Sequence, residues 1–424
     1  MTSAAIRLGL IRSAGLALAL LMNVIAARLL GPAGFGALAF LLSLVTLLAA
    51  MSSGGLAALF TREVAAAASA GQSLPGSPAV PWLLLTSIGL AGACALTSAL
   101  GLLPTAASPA VVLAVATALL GLGLLNLLSG LRRGLGAPSA GDLPIAVVIP
   151  AAFLLLVSWD PGSIAERVSG ETRVRLFFFA YVVAIWVAVA AALLPWRLQA
   201  RRGFGLLGGG QSALSRAWLK NYAPFFSLAV IGALNTQLGT LMVAWVADAS
   251  ATAFYRIAER MAVLVALPLT VLNAVLAAAV VRSHARGDFE ALRALVRRAR
   301  HWALAGALPL GLIMIVFGDE LVRRLFGAEY VDGARWPLAV LVLGQWVNVA
   351  CGSVGLVLSM CGHERAVLRE QAVAVAAAVC LLPPMIGLVG ATGAALVMAG
   401  SLAWWNLRLA VVMHRQLRAA APVR

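Results

Sequence analysis

Twelve stretches of about twenty mostly apolar residues dominate this chain of 424 residues. They run over roughly 9–30, 35–60, 81–103, 109–131, 142–159, 174–196, 222–247, 261–281, 302–318, 336–361, 367–388 and 389–412. A bilayer core offers no water to a peptide N–H or C=O, so a stretch that crosses it folds as a helix and satisfies its own backbone. Composition agrees: 62% of residues are hydrophobic, 11% are charged and mean hydropathy is +0.99. A soluble domain is about half apolar and about a quarter charged, so a soluble enzyme, a disordered tail and a disulfide scaffold are excluded. The expected fold class is an all-α integral membrane protein with 12 transmembrane helices. The first stretch follows Arg7 and Arg12, as a signal peptide's would. It is longer than a typical signal core and eleven more spans follow, so it reads as a retained first helix.

The net charge of +16 comes almost wholly from arginine. In a soluble protein that excess suggests nucleic acid; here its placement decides. With both termini cytoplasmic, the inner segments carry 22 Lys and Arg against six acids, and the outer segments carry nine of each. The whole excess therefore falls on one face, as the positive-inside rule expects. A miscounted span would spoil that separation. The basic loops 197–221 and 282–301 read as topology determinants beside anionic lipid headgroups, and no nucleic-acid partner is expected. Within the second loop, Phe289, Leu292, Leu295, Val296 and Trp302 recur at helical spacing with Arg293, Arg297, Arg298 and Arg300 between them. That pattern predicts a helix lying on the cytoplasmic interface.

No hydrophilic insertion exceeds about 25 residues, and the motifs of ATP hydrolysis, zinc proteolysis and serine hydrolysis are absent from the sequence. Neither an enzyme nor a cofactor is expected. Cys94, Cys351, Cys361 and Cys380 lie in or beside apolar segments and read as small buried hydrophobes, with no metal implied. Asp160, Glu166 and Glu171 share a loop with three arginines and read as solvated charge. The glycine cluster 203–210 reads as a flexible linker.

Six spans on each side of that linker suggest duplication. Arg62 closes span two and Arg282 closes span eight; Asn126 and Gly130 in span four recur as Asn348 and Gly352 in span ten. The expected organisation is a six-helix bundle over 1–196, a basic glycine-rich cytoplasmic linker over 197–221, a second six-helix bundle over 222–412 and a basic cytoplasmic tail over 413–424. Such halves are a transporter architecture. Prolines at 144, 150, 224, 268, 309, 383 and 384 punctuate the spans. A proline removes a backbone bond and kinks a helix; the Pro383-Pro384 pair is the one most expected to bend during transport.

The stretch Ala27-Arg28-Leu29-Leu30-Gly31-Pro32-Ala33-Gly34-Phe35-Gly36, continued through Gly54-Gly55-Leu56 to Thr61-Arg62-Glu63-Val64, resembles a motif of bacterial oligosaccharide flippases. These belong to the multidrug/oligosaccharidyl-lipid/polysaccharide (MOP) exporter superfamily. Leu325-Phe326-Gly327-Ala328-Glu329-Tyr330 and Met360-Cys361-Gly362-His363-Glu364-Arg365 resemble the segments before and after span ten. The resemblance implies a MATE-like fold of two six-helix bundles around a central cavity. It implies passage of an undecaprenyl-pyrophosphate-linked oligosaccharide from the inner to the outer leaflet of the bacterial cytoplasmic membrane, by alternating access, for cell-surface polysaccharide assembly. Lipid-linked oligosaccharide and membrane lipids are the implied partners, with a polysaccharide polymerase as a further candidate.

A pyrophosphate headgroup needs cations, and arginine's planar fork stays charged and can hold two oxygens. The candidate pyrophosphate ligands are Arg28, in the motif at the outer end of span one, Arg62, Arg256 and Arg260. Glu63 and Glu259 are candidate ion-pair or coupling residues, and Glu259-Arg260 resembles an acid–arginine pair of related lipid-linked-precursor flippases. Arg256 lies one turn before Arg260 on the same helix face. Asn23, Asn126, Asn235, Gln237, Asn273 and Asn348 are candidate cavity-lining groups, with helix bridging as the competing role of each. An alternative is a cation-coupled multidrug antiporter of the same superfamily, which would want a mid-helix carboxylate that the spans lack. A membrane polysaccharide polymerase or a non-transporting scaffold is the remaining alternative.

Overall fold

A computed structural model of the protein describes residues 3–70, 79–100, 108–158, 169–199 and 216–419. The glycine cluster 203–210, Asp160 and Glu166 lie outside these residues. Among the described residues every regular element is helical. In chain order they are α1 (Ser3–Ser53), α2 (Leu56–Ala70), α3 (Ala79–Ala99), α4 (Pro109–Gly134), α5 (Pro138–Leu143), a π-helical turn (Pro144–Val148) and α6 (Ile149–Ser158). There follow α7 (Gly170–Gln199), α8 (Arg216–Val246), α9 (Ala249–Val265), α10 (Leu267–Ala285), α11 (Phe289–Val316) and α12 (Gly318–Leu325). After a 3-10 turn (Ala328–Tyr330) come α13 (Val331–Cys351), α14 (Val354–Met360) and α15 (Glu364–Ala419).

Eight helical segments among the described residues are long and apolar enough to cross a membrane, or nine if the bent pair α13–α14 is one span. Two of the eight are far longer than one crossing needs. Arg7–Ala67 has 61 residues and Glu364–Gln416 has 53, where about 20 suffice. Each is interrupted where a glycine takes a left-handed conformation. Gly31 has φ 68°, and Pro32, with its pre-set φ, opens the next helical stretch. Gly390 has φ 59° beside Val389. The break in α15 thus falls at the glycine, whereas Pro383 and Pro384 remain inside helical backbone.

The chain forms two compact units. The first comprises Leu10–Leu30 and Phe40–Gln237. The second comprises Met1–Gly9, Gly31–Ala39 and Leu238–Arg424. The division of the chain thus falls inside α8, and a short piece of α1 around the glycine-rich motif joins the second unit.

In the first unit α4 is the hub, packed by α2, α3, α5 and α7. It is studded with small residues that let backbones close. A Cβ on Gly130 would lie 2.5 Å from the Ala57 carbonyl oxygen, and one on Gly123 would lie 2.1 Å from a Leu83 methyl. The amino-terminal part of α8 is held by Tyr222, whose buried hydroxyl donates to the Gly54 carbonyl at 2.7 Å and whose ring stacks on Trp218 at 4.9 Å.

In the second unit α13 takes the corresponding place, packed by α9, α11, α12 and α15. Trp346 of α13 donates its indole N–H to the Ala307 carbonyl at 3.0 Å and covers Gly311. Two motif segments prove to be packing elements here. Phe326 and Tyr330 are fully buried, Phe254 meets Tyr330 edge-on at 6.2 Å, and Gly333 lies under Phe254. Gly36 abuts the start of α9 so closely that a Cβ would fall 1.6 Å from the Ala249 carbonyl oxygen. The expected interfacial helix over 288–302 is the opening half of α11, which runs unbroken into the apolar span. Its buried positions Leu292, Val296, Ala299, Ala303 and Ala307 form one stripe at helical spacing, and a continuous stripe keeps a helix straight across the interface.

Gly36→Val should therefore lower stability by about 3 kcal/mol through backbone displacement. Gly89→Ala, where an added Cβ meets nothing within 4 Å, should change it by less than about 0.5 kcal/mol. Thermal unfolding in detergent, followed by loss of the monodisperse peak, reads both.

Candidate functional site

The cationic residues of α9 are set by its capping and its burial. Asp248 caps the helix, its carboxylate accepting from the Ala251 N–H at 2.7 Å. Ala253, Tyr255, Ile257, Ala258, Met261 and Ala262 are buried around the helix, and α9 packs on α13, α11 and α15. Arg256 is drawn into this apolar surrounding and is only 5% exposed. Its Nη1 donates to Glu259 at 3.0 Å, one turn along, while its Nε has no hydrogen-bond partner. The Nε of Arg260 is likewise buried without one. Glu259 thus pairs with Arg256, and Arg260 adds a second guanidinium group one turn further along the helix. Three further buried polar atoms of the second unit belong to the same class or lie close in sequence. The Tyr255 ring sits where a Cβ of Gly239 would be, 2.1 Å from its hydroxyl, and the Thr240 hydroxyl and the Asn273 side-chain oxygen are buried without partners.

A buried donor without an acceptor costs about 1–3 kcal/mol, more when charged. Native interiors hold few such groups, and each calls for an acceptor from outside the chain, either water or a ligand. The unmatched N–H donors of α9 are of the kind that water, an anion or a hydroxyl group satisfies.

The other predicted residues divide between the two units. Arg28 and Arg62 lie in the first unit and are exposed; the Arg62 guanidinium lies over the Phe225 ring at 5.0 Å. Glu63 is half-buried beside it. Most of the amides serve their own helices. Asn23 is buried and donates to the Ala19 carbonyl at 2.6 Å, Asn235 donates to Ile231 at 3.0 Å, and Asn348 donates to Gln345 at 3.1 Å. Asn126 bridges helices through the Ser53 hydroxyl at 3.0 Å. Gln237 donates to Thr236 at 3.2 Å but leaves its oxygen buried and unmatched. The structure thus brings Arg256, Glu259 and Arg260 together on one helix and leaves Arg28 and Arg62 in the other unit.

Sequence reasoning missed two buried carboxylates because it counted both as loop charge. Asp142 is 7% exposed and accepts from Arg12 at 2.9 Å and from Arg133 at 2.5 Å, tying α1, α4 and α5. Glu370 is 3% exposed and accepts from Arg369 at 2.8 Å and from Arg408 at 3.3 Å, clasping the two arms of α15. A signal existed: each acid opens the fifth span of its half, beside basic residues.

Comparison with solved structures identifies the architecture. The chain is similar over 99% of its length to 99% of an inward-facing multidrug resistance MATE transporter of the MOP superfamily, with TM-score 0.70 and 14% identity. It is also similar to a mutant of the Vibrio cholerae MATE transporter VcmN (TM-score 0.65, 16% identity, 98% of each chain). A third match is a MOP superfamily transporter from Pyrococcus furiosus (TM-score 0.63, 15% identity, 98% of this chain and 96% of that one). The fold is that of the MOP-superfamily transporters, and the protein is a multi-pass membrane protein. No curated protein matches the sequence. The profile of the polysaccharide biosynthesis protein family matches residues 4–281, well over half the chain, and the protein belongs to that family.

Asp142→Asn should leave two guanidinium groups facing a neutral amide and cost about 1–2 kcal/mol, less than the ~3–5 kcal/mol of a fully buried broken pair, because Arg12 and Arg133 are 43% and 36% exposed. Adding Arg12→Gln should recover part of the loss, and a double-mutant cycle of unfolding midpoints measures it.

Proposed function

We propose that the protein is a flippase that carries an undecaprenyl-pyrophosphate-linked oligosaccharide across the bacterial cytoplasmic membrane for cell-surface polysaccharide assembly. The observation that carries this reading is the buried Arg256 with the half-buried Arg260 one turn on, their Nε groups unmatched and Glu259 paired to Arg256. A lipid tail can stay in hydrocarbon, but a pyrophosphate cannot cross without cations and hydrogen-bond donors. Guanidinium groups with unmatched N–H donors in a low-dielectric surrounding supply both. Asn273 and Gln237, with unmatched oxygens, suit sugar hydroxyls. Arg28 and Arg62 serve the same headgroup at other points of its path. Membership of the polysaccharide biosynthesis family supports the substrate class.

In this reading the twelve expected spans form a six-helix bundle in each half, joined by the cytoplasmic linker 197–221, with both termini cytoplasmic and transport by alternating access without catalysis or cofactor. A polysaccharide polymerase that consumes the flipped unit is the natural partner. A cation antiporter is the competing reading, since MATE transporters share the fold. Charge weighs against it: Asp142, Glu259 and Glu370 are each engaged by arginine, and the α9 cluster is positive. The Pyrococcus furiosus relative is itself described as having a binding pocket of reverse polarity that suggests a different function.

Arg256→Gln and Arg260→Gln should each reduce flipping about tenfold or more, the loss expected when a charged hydrogen bond worth about 1.5–3 kcal/mol is removed. The assay is protection of a lipid-linked oligosaccharide in proteoliposomes. Arg256→Lys should restore part of the rate, since charge survives and the fork does not. Unchanged flipping in both glutamine variants, with folded protein in the membrane, overturns the assignment.

A further inference from the structure

The continuity of α11 places its arginines at a definable depth. Between Arg300 and Asp319 the chain holds only apolar residues, glycine, one proline and His301. At 1.5 Å per residue this stretch spans about 27 Å, a little short of the ~30 Å hydrocarbon core. A helix that falls short draws its flanking charges to the boundary. Arg300, and Arg297 and Arg298 one turn further, therefore stand at the level of lipid phosphates rather than in free solvent.

Their azimuth is equally defined. The buried stripe Leu292, Val296, Ala299, Ala303 and Ala307 faces the rest of the second unit, with Leu292 and Val296 packed against Val280 and Val357. On the opposite side Trp302, Leu308, Leu312, Ile313 and Val316 are 67%, 49%, 56%, 47% and 61% exposed. Exposed aliphatics on a membrane helix face acyl chains. Arg298 precedes Trp302, Leu312 and Val316 by 4, 14 and 18 residues, and Arg297 precedes Leu308 by 11. With 3.6 residues per turn these positions share one face. A lipid standing with its chains along Leu308 and Leu312 would bring its phosphate to Arg297 and Arg298. Trp302, an amphipathic ring at the interface, sits between chain and headgroup. Both arginines are exposed, and no ion pair among the described residues engages them. The acids of this segment, Asp288 and Glu290, lie two turns nearer the helix start, and Asp288 is occupied in capping Ala291.

From this register we infer that the outer face of α11 is a binding site for an anionic phospholipid of the inner leaflet. Arg297 and Arg298 hold the phosphate, and Trp302, Leu308 and Leu312 receive the chains. The site would select a net-negative headgroup such as phosphatidylglycerol over phosphatidylcholine, because the arginines meet phosphate and α11 carries no carboxylate after Glu290 to accept a choline cation. It rests on the start of α11 lying at the cytoplasmic face and is independent of what the protein transports.

The test is native mass spectrometry of the full chain released from mixed micelles holding equal phosphatidylglycerol and phosphatidylcholine. The wild type should retain phosphatidylglycerol preferentially, and retention should weaken as salt rises. Each arginine lost should reduce retention about fivefold, the effect of about 1 kcal/mol per basic residue near an anionic surface. R297Q/R298Q should therefore retain at least about tenfold less. R323Q/R324Q, which removes two exposed arginines from α12 that pair with Glu320, should retain it as the wild type does. Equal retention of the two lipids, or unchanged retention in R297Q/R298Q, overturns the site. Full displacement of phosphatidylglycerol by an equimolar short-chain polyprenyl pyrophosphate also overturns it, by making the face a landing place for diphosphate lipids. The wild-type salt titration keeps the test decisive should the double variant fail to fold.

Discussion

The structure rests on the cost of an unmatched polar group in hydrocarbon. That cost, several kcal/mol for each peptide group, makes every described regular element a helix. It also explains how the helices approach one another. Without water to drive apolar surfaces together, close backbone contact supplies the packing, and small residues permit it. Gly130 against Ala57, Gly344 against Ala399 and Gly36 against Ala249 are three instances on the helices that organise each unit.

The same cost disciplines the charges. Asp142 and Glu370 are buried, and each is held by two arginines. They bridge helices at equivalent places in the two halves, α4 with α1 and α5 in one and the two arms of α15 in the other. The α9 cluster departs from this rule. There Arg256 pairs with Glu259, and the Nε groups of Arg256 and Arg260 lie buried without a partner. In the proposed reading a substrate headgroup supplies the acceptors that α9 lacks, whereas the ion pairs of Asp142 and Glu370 hold helices together.

The motif segments show how a sequence signature can be architectural. Gly31 and Gly36 are needed for a left-handed break and for a contact with no room for a side chain. Phe326 packs on Tyr330, and Tyr330 in turn meets Phe254 edge-on. None of these residues is placed to bind a substrate. Their chemistry is that of a turn and a packed cap, which fixes where α9 begins and hence where Arg256 points.

By itself the sequence determined the all-helical, membrane-embedded class and the long apolar segments, while it looked for the bend of α15 at Pro383-Pro384 rather than at Gly390. The class and the segments follow from local hydropathy and backbone conformation, which need no partner. It also placed Arg256, Glu259 and Arg260 on one face, since a spacing of three and four is fixed by the helix alone. Only the tertiary structure decided that Arg256 is buried while Arg28 and Arg62 are exposed, that Asp142 and Glu370 are helix clasps rather than loop charge, and that α11 continues through the interface. Burial depends on which faces of distant helices meet. Every apolar helix has similar faces, so the pattern of one segment cannot say which neighbour will cover it.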